Sequence, residues 1–252
     1  MRRMIIAGNW KMHTDLEEAE KLAKGIVKKV GGKTEPAVVL CPPYPLLPAV
    51  SKIIEGTTVQ LGAQNVHPED QGAFTGEVSA SMLKSAGCEY VIVGHSERRR
   101  KFLETNNIVN SKVKAVLDSG MVPVLCIGES GIERKSGLKK MVLATQLKKC
   151  LDGVAKKDLK NLIVAYEPIW AISTEKNATP QTAESAGEDV EFVKKILKDM
   201  FESFDAKIRV VYGGSVTPGN VGALAGMKSI DGFLVGGASL DVKSFLSIVD
   251  NS

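Results

Sequence analysis

The feature that most constrains the fold is a short apolar run that recurs eight times along this chain of 252 residues. Most runs are apolar at nearly every position, which is typical of parallel strands covered on both faces. They span residues 4–8, 37–41, 59–63, 90–93, 122–127, 162–166, 208–212 and 232–235. The sequence therefore predicts eight short parallel strands.

Amphipathic helical patterns lie between these runs. Thr14 and Glu17 have the spacing of a capping box at the start of the first helix. Gly87 and Gly120 stand where two later helices are expected to end, because glycine readily adopts the left-handed conformation that terminates helices. Strands that alternate with helices about every 30 residues predict an α/β fold with a parallel sheet.

Two architectures fit this alternation, an open doubly wound sheet and a closed barrel. The glycine fingerprint G-x-G-x-x-G, typical of open dinucleotide-binding sheets, does not follow the first run. No linker rich in Pro, Gly or Ser and no change of composition divides the chain. We therefore predict one domain over residues 1–252, a (βα)8 TIM barrel of eight parallel strands ringed by helices.

Composition and charge argue against nucleic-acid and membrane partners. The net charge is only +4, and its lysine pairs fall within helical patterns or at their ends, as expected for solvated helix faces. The apolar run at residues 4–7 is too short for a signal peptide, and no run approaches the length of a membrane span. We expect a cytoplasmic protein that binds neither nucleic acid nor membranes.

The four cysteines show neither C-x-x-C spacing nor a histidine at ligand spacing. Reduced thiols are the expected state, and the sequence predicts no metal site and no cofactor. A Ser-His-Asp arrangement is also missing from the expected strand ends.

The active site of a βα barrel is built from the residues that directly follow its strands. This rule selects Asn9 and Lys11 after the first run and Glu167 after the sixth; after the fourth it selects His95, Ser96 and Glu97. Each has an ordinary alternative, since Lys11 could be a surface lysine, His95 a structural histidine and Glu167 half of an ion pair. Taken together, they supply a carboxylate base, an imidazole and an ammonium group.

Glycine pairs follow the seventh and eighth runs, at Gly213-Gly214 and Gly236-Gly237. Backbone N–H groups without a nearby Cβ can approach a phosphate closely, and barrels commonly bind phosphate at these two loops. The combined set can abstract a proton next to a carbonyl and stabilise the enediolate. The alternatives are another phosphosugar isomerase or epimerase, and a catalytically silent phosphate-binding barrel.

Five segments resemble the triosephosphate isomerase family, and the resemblance extends over essentially the whole chain. They are residues 8–12 (GNWKM), 94–99 (GHSERR), 166–171 (YEPIWA), 212–216 (YGGSV) and 234–240 (LVGGASL). The resemblance implies interconversion of D-glyceraldehyde 3-phosphate and dihydroxyacetone phosphate in glycolysis and gluconeogenesis, without a cofactor. The family is itself an established example of pKa tuning, in which a glutamate acts as the base and a histidine stays neutral.

The resemblance also implies residue roles. Glu167 would shuttle the proton, neutral His95 would polarise the carbonyl, and Lys11 would offset negative charge. Asn9 would hold the substrate and Glu97 would organise the site beside the histidine. The residues that match the phosphate and substrate site are Ser173, Ser215, Leu234, Gly236 and Gly237.

Family members are usually homodimers, joined by a long loop after the third strand. Residues 64–77 match that loop, so Thr75 would enter the partner subunit and Glu77 would pair with Arg98. The chain departs from the family at Ser173, Glu175 and Leu103, where glycine is common. The first two lie in the segment that corresponds to the family's lid, so we expect lid closure with altered kinetics.

Overall fold

The computed structural model describes residues 4–172, 179–201 and 208–252. Eight parallel strands pair in chain order, and the eighth returns to the first, so the sheet closes into a barrel. The strands are β1 Ile5–Asn9, β2 Ala37–Cys41, β3 Gln60–Ala63, β4 Cys88–Val93, β5 Val122–Ile127, β6 Ile163–Tyr166, β7 Arg209–Tyr212 and β8 Gly232–Val235. The predicted fold class is confirmed.

Helices follow the strands and cover the outside of the barrel. They are α1 Leu16–Val30, α2 Leu47–Ile54, α3 Ala80–Ser85, α4 Ser96–Lys101, α5 Asn106–Asp118, α6 Gly131–Lys135, α7 Lys139–Cys150, α8 Ala183–Met200, α9 Val221–Ala225 and α10 Val242–Asp250. Short 3₁₀ turns lie at Tyr44–Leu46, Lys156–Asn161, Ile169–Ala171 and Gly237–Leu240. Within the described ranges, no helix is both long and apolar enough to cross a bilayer.

Alternate strand residues belong to two separate apolar cores. Ile5 and Ala7 pack inside the barrel with the inward residues of the other strands. Ile6, between them, packs in the outer layer together with helix residues such as Ile26 and Phe245. Most residues on both faces of the strands are therefore buried, which explains why the strand sequences are apolar at nearly every position.

Helix boundaries follow local chemistry, with one correction to the prediction. The capping box of α1 is formed by Asp15 and Glu18, one residue later than the predicted pair Thr14 and Glu17. Thr14 has a positive φ of 74°, and its hydroxyl donates to the carbonyl of His13. Its conformation is thus unlike the extended one of an N-cap residue.

Candidate active site

The carboxyl ends of the strands surround a cavity of about 260 Å³. The predicted residues that line it are Asn9, Lys11, His95, Glu167, Ser215, Leu234, Gly236 and Gly237. A larger cavity, of about 1050 Å³, lies between α8 and residues 227–229, but it is open to solvent and holds none of these residues. The chemistry therefore belongs to the smaller cavity, in the position expected for a barrel enzyme.

Glu167 directly follows β6, and its side chain is almost completely buried. One carboxylate oxygen accepts a hydrogen bond from the backbone N–H of Ser96 at 3.0 Å, and the other lies 3.0 Å from Nε2 of His95. Burial raises the pKa of Glu167, but His95, the Ser96 N–H and the Cys126 thiol lower it by more. The carboxylate is consequently ionised at neutral pH and available as a base.

His95 is the N-cap residue of α4. Its Nδ1 accepts the backbone N–H of Glu97 at 3.2 Å, which leaves the proton of a neutral ring on Nε2, facing Glu167. Burial lowers the pKa of His95, while the carboxylates of Glu167 and, less strongly, Glu97 together raise it by more. The net increase in the pKa of His95 depends mainly on the close contact with Glu167. On the other side of the ring, the Glu97 N–H donates to Nδ1 and so opposes protonation of that nitrogen.

Lys11 has a left-handed backbone, with φ of 54°. Its N–H donates to Oδ1 of Asn9 at 3.0 Å, and Gln64 donates to its carbonyl at 2.8 Å. Such a conformation costs about 1–3 kcal/mol in a residue other than glycine, so surrounding contacts must hold it. The ammonium group donates to Glu97 at 2.7 Å; Lys11 lines the cavity, whereas Glu97 does not.

Close packing explains the glycine pair after β7, whereas the pair after β8 has more room around it. A Cβ at Gly213 would lie 3.0 Å from Cγ of Glu167, and one at Gly214 would overlap the hydroxyl of Tyr212. A Cβ at Gly236 would contact the Lys11 side chain at 3.4 Å, whereas Gly237 faces open space. The loops after β7 and β8 thus bring bare backbone beside the base and the ammonium group.

Sequence reasoning missed the role of Cys126 in this site and the way in which Ser96, which it did select, contributes to it. Cys126 lies inside β5, and its thiol helps to lower the pKa of Glu167. The backbone N–H of Ser96 holds the Glu167 carboxylate. Neither role leaves a sequence signal, because one residue is part of an apolar strand and the other acts through its backbone.

The predicted interface residues lie outside the cavity. Thr75 and Glu77 are exposed. Within the described part of the chain, Arg98 makes no ion pair with Glu77; its Nε donates to Glu104 at 2.6 Å instead. Ser173 lies outside the described residues, so its predicted contact with phosphate stays a prediction. Among the described residues, no three His, Cys, Asp or Glu side chains gather as a metal site would need.

Comparison with known proteins decides the family. The family model described as triosephosphate isomerase matches residues 4–252. The chain belongs to the triosephosphate isomerase family. It is 46% identical over 252 residues to a triosephosphate isomerase of Chlorobium phaeobacteroides, with 99% of each chain covered. It is 43% identical over 250 residues to one from Dictyoglomus thermophilum, again with 99% coverage of both.

A solved structure gives the same result. The crystal structure of triosephosphate isomerase from Bartonella henselae superposes with a TM-score of 0.87 at 39% sequence identity, covering 99% of this chain and 98% of the other. The residues that were predicted from the triosephosphate isomerase resemblance and lie in the described ranges therefore occupy a barrel of the same architecture.

Proposed function

We propose that this chain interconverts D-glyceraldehyde 3-phosphate and dihydroxyacetone phosphate, as a cofactor-independent isomerase of glycolysis and gluconeogenesis in the cytoplasm. One observation carries the proposal. An ionised, buried Glu167 and the Nε2–H of His95 lie 3.0 Å apart in a cavity that also contains Lys11. This is the combination of base, hydrogen-bond donor and cation that enolisation needs.

Catalysis would begin when Glu167 leaves Ser96 and His95 and turns toward the substrate. Its carboxylate removes a proton from the carbon next to the carbonyl and returns it to the neighbouring carbon. As the carboxylate turns away, the pKa of His95 falls, since Glu167 is the main group that raises it. A neutral ring then donates its Nε2–H to the oxygen that gains charge and takes up the proton of the neighbouring hydroxyl, so that the new carbonyl forms as the carbon proton is returned. Asn9 and Lys11 hold the oxygen that gains charge and the phosphate.

The loops after β7 and β8 would bind the phosphate. Ser215, Gly236 and Gly237 would donate backbone N–H groups, and Leu234 would cover the carbon chain. A volume of about 260 Å³ is at the small end for ligand sites, which favours a three-carbon substrate over a larger sugar phosphate.

The direct test is an assay of dihydroxyacetone phosphate conversion with the purified chain in the presence of a metal chelator. We expect rapid turnover that the chelator does not reduce. A correctly folded chain that turns over only at the background rate would contradict the proposal and favour a silent phosphate-binding barrel. Turnover of another phosphosugar alone would identify a different isomerase or epimerase.

We also propose a homodimer in which Thr75 inserts beside the partner's active site. The loop at residues 64–77 is packed through its own contacts, with the ring of Phe74 4.1 Å from that of His67. Large apolar side chains on and near it are exposed, Met12 at 94% and Met82 at 55%. Met12 directly follows Lys11, so a partner that covers it would also support the active site.

Replacing Thr75 by Arg is expected to convert the dimer into monomers and to lower kcat, because a long charged side chain cannot enter a packed interface. Sedimentation velocity and the turnover assay measure the two effects. Thr145→Arg is the matched control, since Thr145 is exposed on α7, and it should remain dimeric and active. A parent chain that sediments as a monomer at micromolar concentration would refute the interface.

A further inference from the structure

A cluster of polar side chains lies where β6 meets α8, on the outer side of the barrel. We call it the Tyr166 cluster; it consists of Glu129, Arg134, Lys139, Tyr166 and Asp189. Tyr166 and Glu129 are completely buried, and Asp189 is nearly so. The mechanism proposed above uses none of these side chains, although Tyr166 directly precedes Glu167.

Asp189 is the main hydrogen-bond acceptor of Tyr166. The phenolic oxygen lies 2.9 Å from Oδ2 of Asp189 and 3.2 Å from each carboxylate oxygen of Glu129. A phenol has one proton to donate, and the shortest contact identifies its acceptor. Glu129 is occupied separately by N–H donors from Arg134 at 3.3 Å and Trp170 at 3.0 Å.

The charges of the cluster are paired. Arg134 lies 3.3 Å from both Glu129 and Asp189, and Lys139 forms an ion pair with Asp189. Burial raises the pKa of Asp189, but hydrogen bonds from Lys139 and Gln181 lower it by more. Asp189 therefore carries a charge, and removing that charge leaves Lys139 without its partner in the cluster.

Two chain segments near the active site attach to the same cluster. Trp170, three residues after Glu167, donates to Glu129 at 3.0 Å, and its ring stacks under Arg134 at 4.3 Å. Gln181, just before α8, donates to Oδ2 of Asp189 at 2.8 Å. Asp189 is thus the point at which α8, the end of β6 and the segment before α8 are joined.

We propose that Asp189 is a positioning residue for Glu167, acting through Tyr166. The inference rests on the proposed function of Glu167 as the base. Neighbouring residues of a strand point to opposite faces, so a Tyr166 fixed outside the barrel sets the direction in which the next residue leaves the strand. The carbonyl of Tyr166 also accepts the N–H of Gly213 at 2.8 Å, which links the cluster to the loop after β7.

The test compares Asp189→Asn with Asp231→Asn. Both aspartates have side chains 5% exposed and pair with a lysine that is about a quarter exposed, Lys139 or Lys194. Asp231, however, directly precedes β8, at the opposite end of the barrel from the site. We expect Asp189→Asn to lower kcat about tenfold with a smaller change in KM, since a misplacement of 1 Å can cost about 10²-fold. Asp231→Asn should keep the parent kcat.

A double variant tests whether the residues act together. If Lys139 and Asp189 act as a unit, Asp189→Asn combined with Lys139→Met should lower kcat no further than Asp189→Asn alone. If instead the kcat losses of the single variants Asp189→Asn and Lys139→Met multiply in the double variant, the two residues do not position Glu167 jointly. That result would overturn this part of the proposal.

Fluorescence gives a measurement that does not depend on the reaction. The chain has two tryptophans, and Trp10 is completely buried. We expect Asp189→Asn to shift the emission of Trp170 and Asp231→Asn to leave it unchanged.

Parent-like kcat and emission in Asp189→Asn, or an equal loss of kcat in Asp231→Asn, would overturn the proposal. A parent without turnover would refute the proposed function, and unchanged emission would then still overturn the role of Asp189.

Discussion

Replacing Glu167 by Gln is expected to lower kcat by roughly 10²- to 10⁴-fold, the range contributed by a positioned general base. The amide retains the shape of the side chain and can still accept the N–H of Ser96, but it cannot take a proton from carbon. The two assays are turnover of dihydroxyacetone phosphate and thermal unfolding. The variant should unfold at a temperature close to that of the parent.

Asp231→Asn again serves as the control, because it removes a buried carboxylate of similar exposure far from the cavity. A loss of kcat in both variants would indicate a general effect of buried charge rather than base catalysis. Retention of more than about a third of the parent kcat by Glu167→Gln would assign the proton transfer to another group.

The second large effect is expected for Gly128→Ala. A Cβ at this position would overlap the carbonyl oxygen of Glu167 and lie 2.7 Å from its carbonyl carbon. These are backbone atoms, so the ends of β5 and β6 would have to separate, which strains the hydrogen bond from the Glu167 N–H to Ile127 at 2.7 Å. We expect kcat to fall by roughly 10²-fold, as for a misplacement of 1 Å.

Stability should fall in the same variant. Overpacking typically costs about 1–3 kcal/mol, which corresponds to a decrease in Tm of roughly 2–12 °C for a chain of this size. Gly222→Ala is the control, since Gly222 lies in α9 and an added Cβ there would meet no atom within 4 Å other than the neighbouring backbone of the same helix. It should be neutral or stabilising by up to about 1 kcal/mol. Parent-like kcat and Tm in Gly128→Ala would contradict the predicted clash.

The fold could be predicted because its main constraint, the burial of strands on both faces, determines which residue types the strands contain. Burial on both faces, as for Ile5 and Ile6 in different cores, produces a continuous apolar run that is recognisable in the sequence. The start of α1 was predicted one residue too early, because the side chains of Thr14 and Asp15 can both cap a helix. Only the backbone conformation of Thr14 in the structure shows that Asp15, and not Thr14, is the N-cap residue.

The candidate site could be predicted to the extent that its residues directly follow the ends of strands. That rule selected Glu167 and His95, and the structure brings them within 3.0 Å of each other. Nothing in the sequence distinguishes Gly128 from other glycines, and only its contact with the Glu167 carbonyl shows why a side chain is excluded there. Asp189 belongs to a helix rich in charged residues, so its burial follows from packing against Tyr166 and not from any local pattern.

The most direct test of the central claim is to run the isomerisation of dihydroxyacetone phosphate in deuterium oxide. If Glu167 carries a proton between adjacent carbons through an enediolate, the base exchanges with solvent in some turnovers. We therefore expect the glyceraldehyde 3-phosphate formed to carry solvent deuterium at C2, as measured by NMR or mass spectrometry of the trapped product. Product formed at full rate without deuterium at C2 would indicate direct hydride transfer and would contradict proton transfer by Glu167.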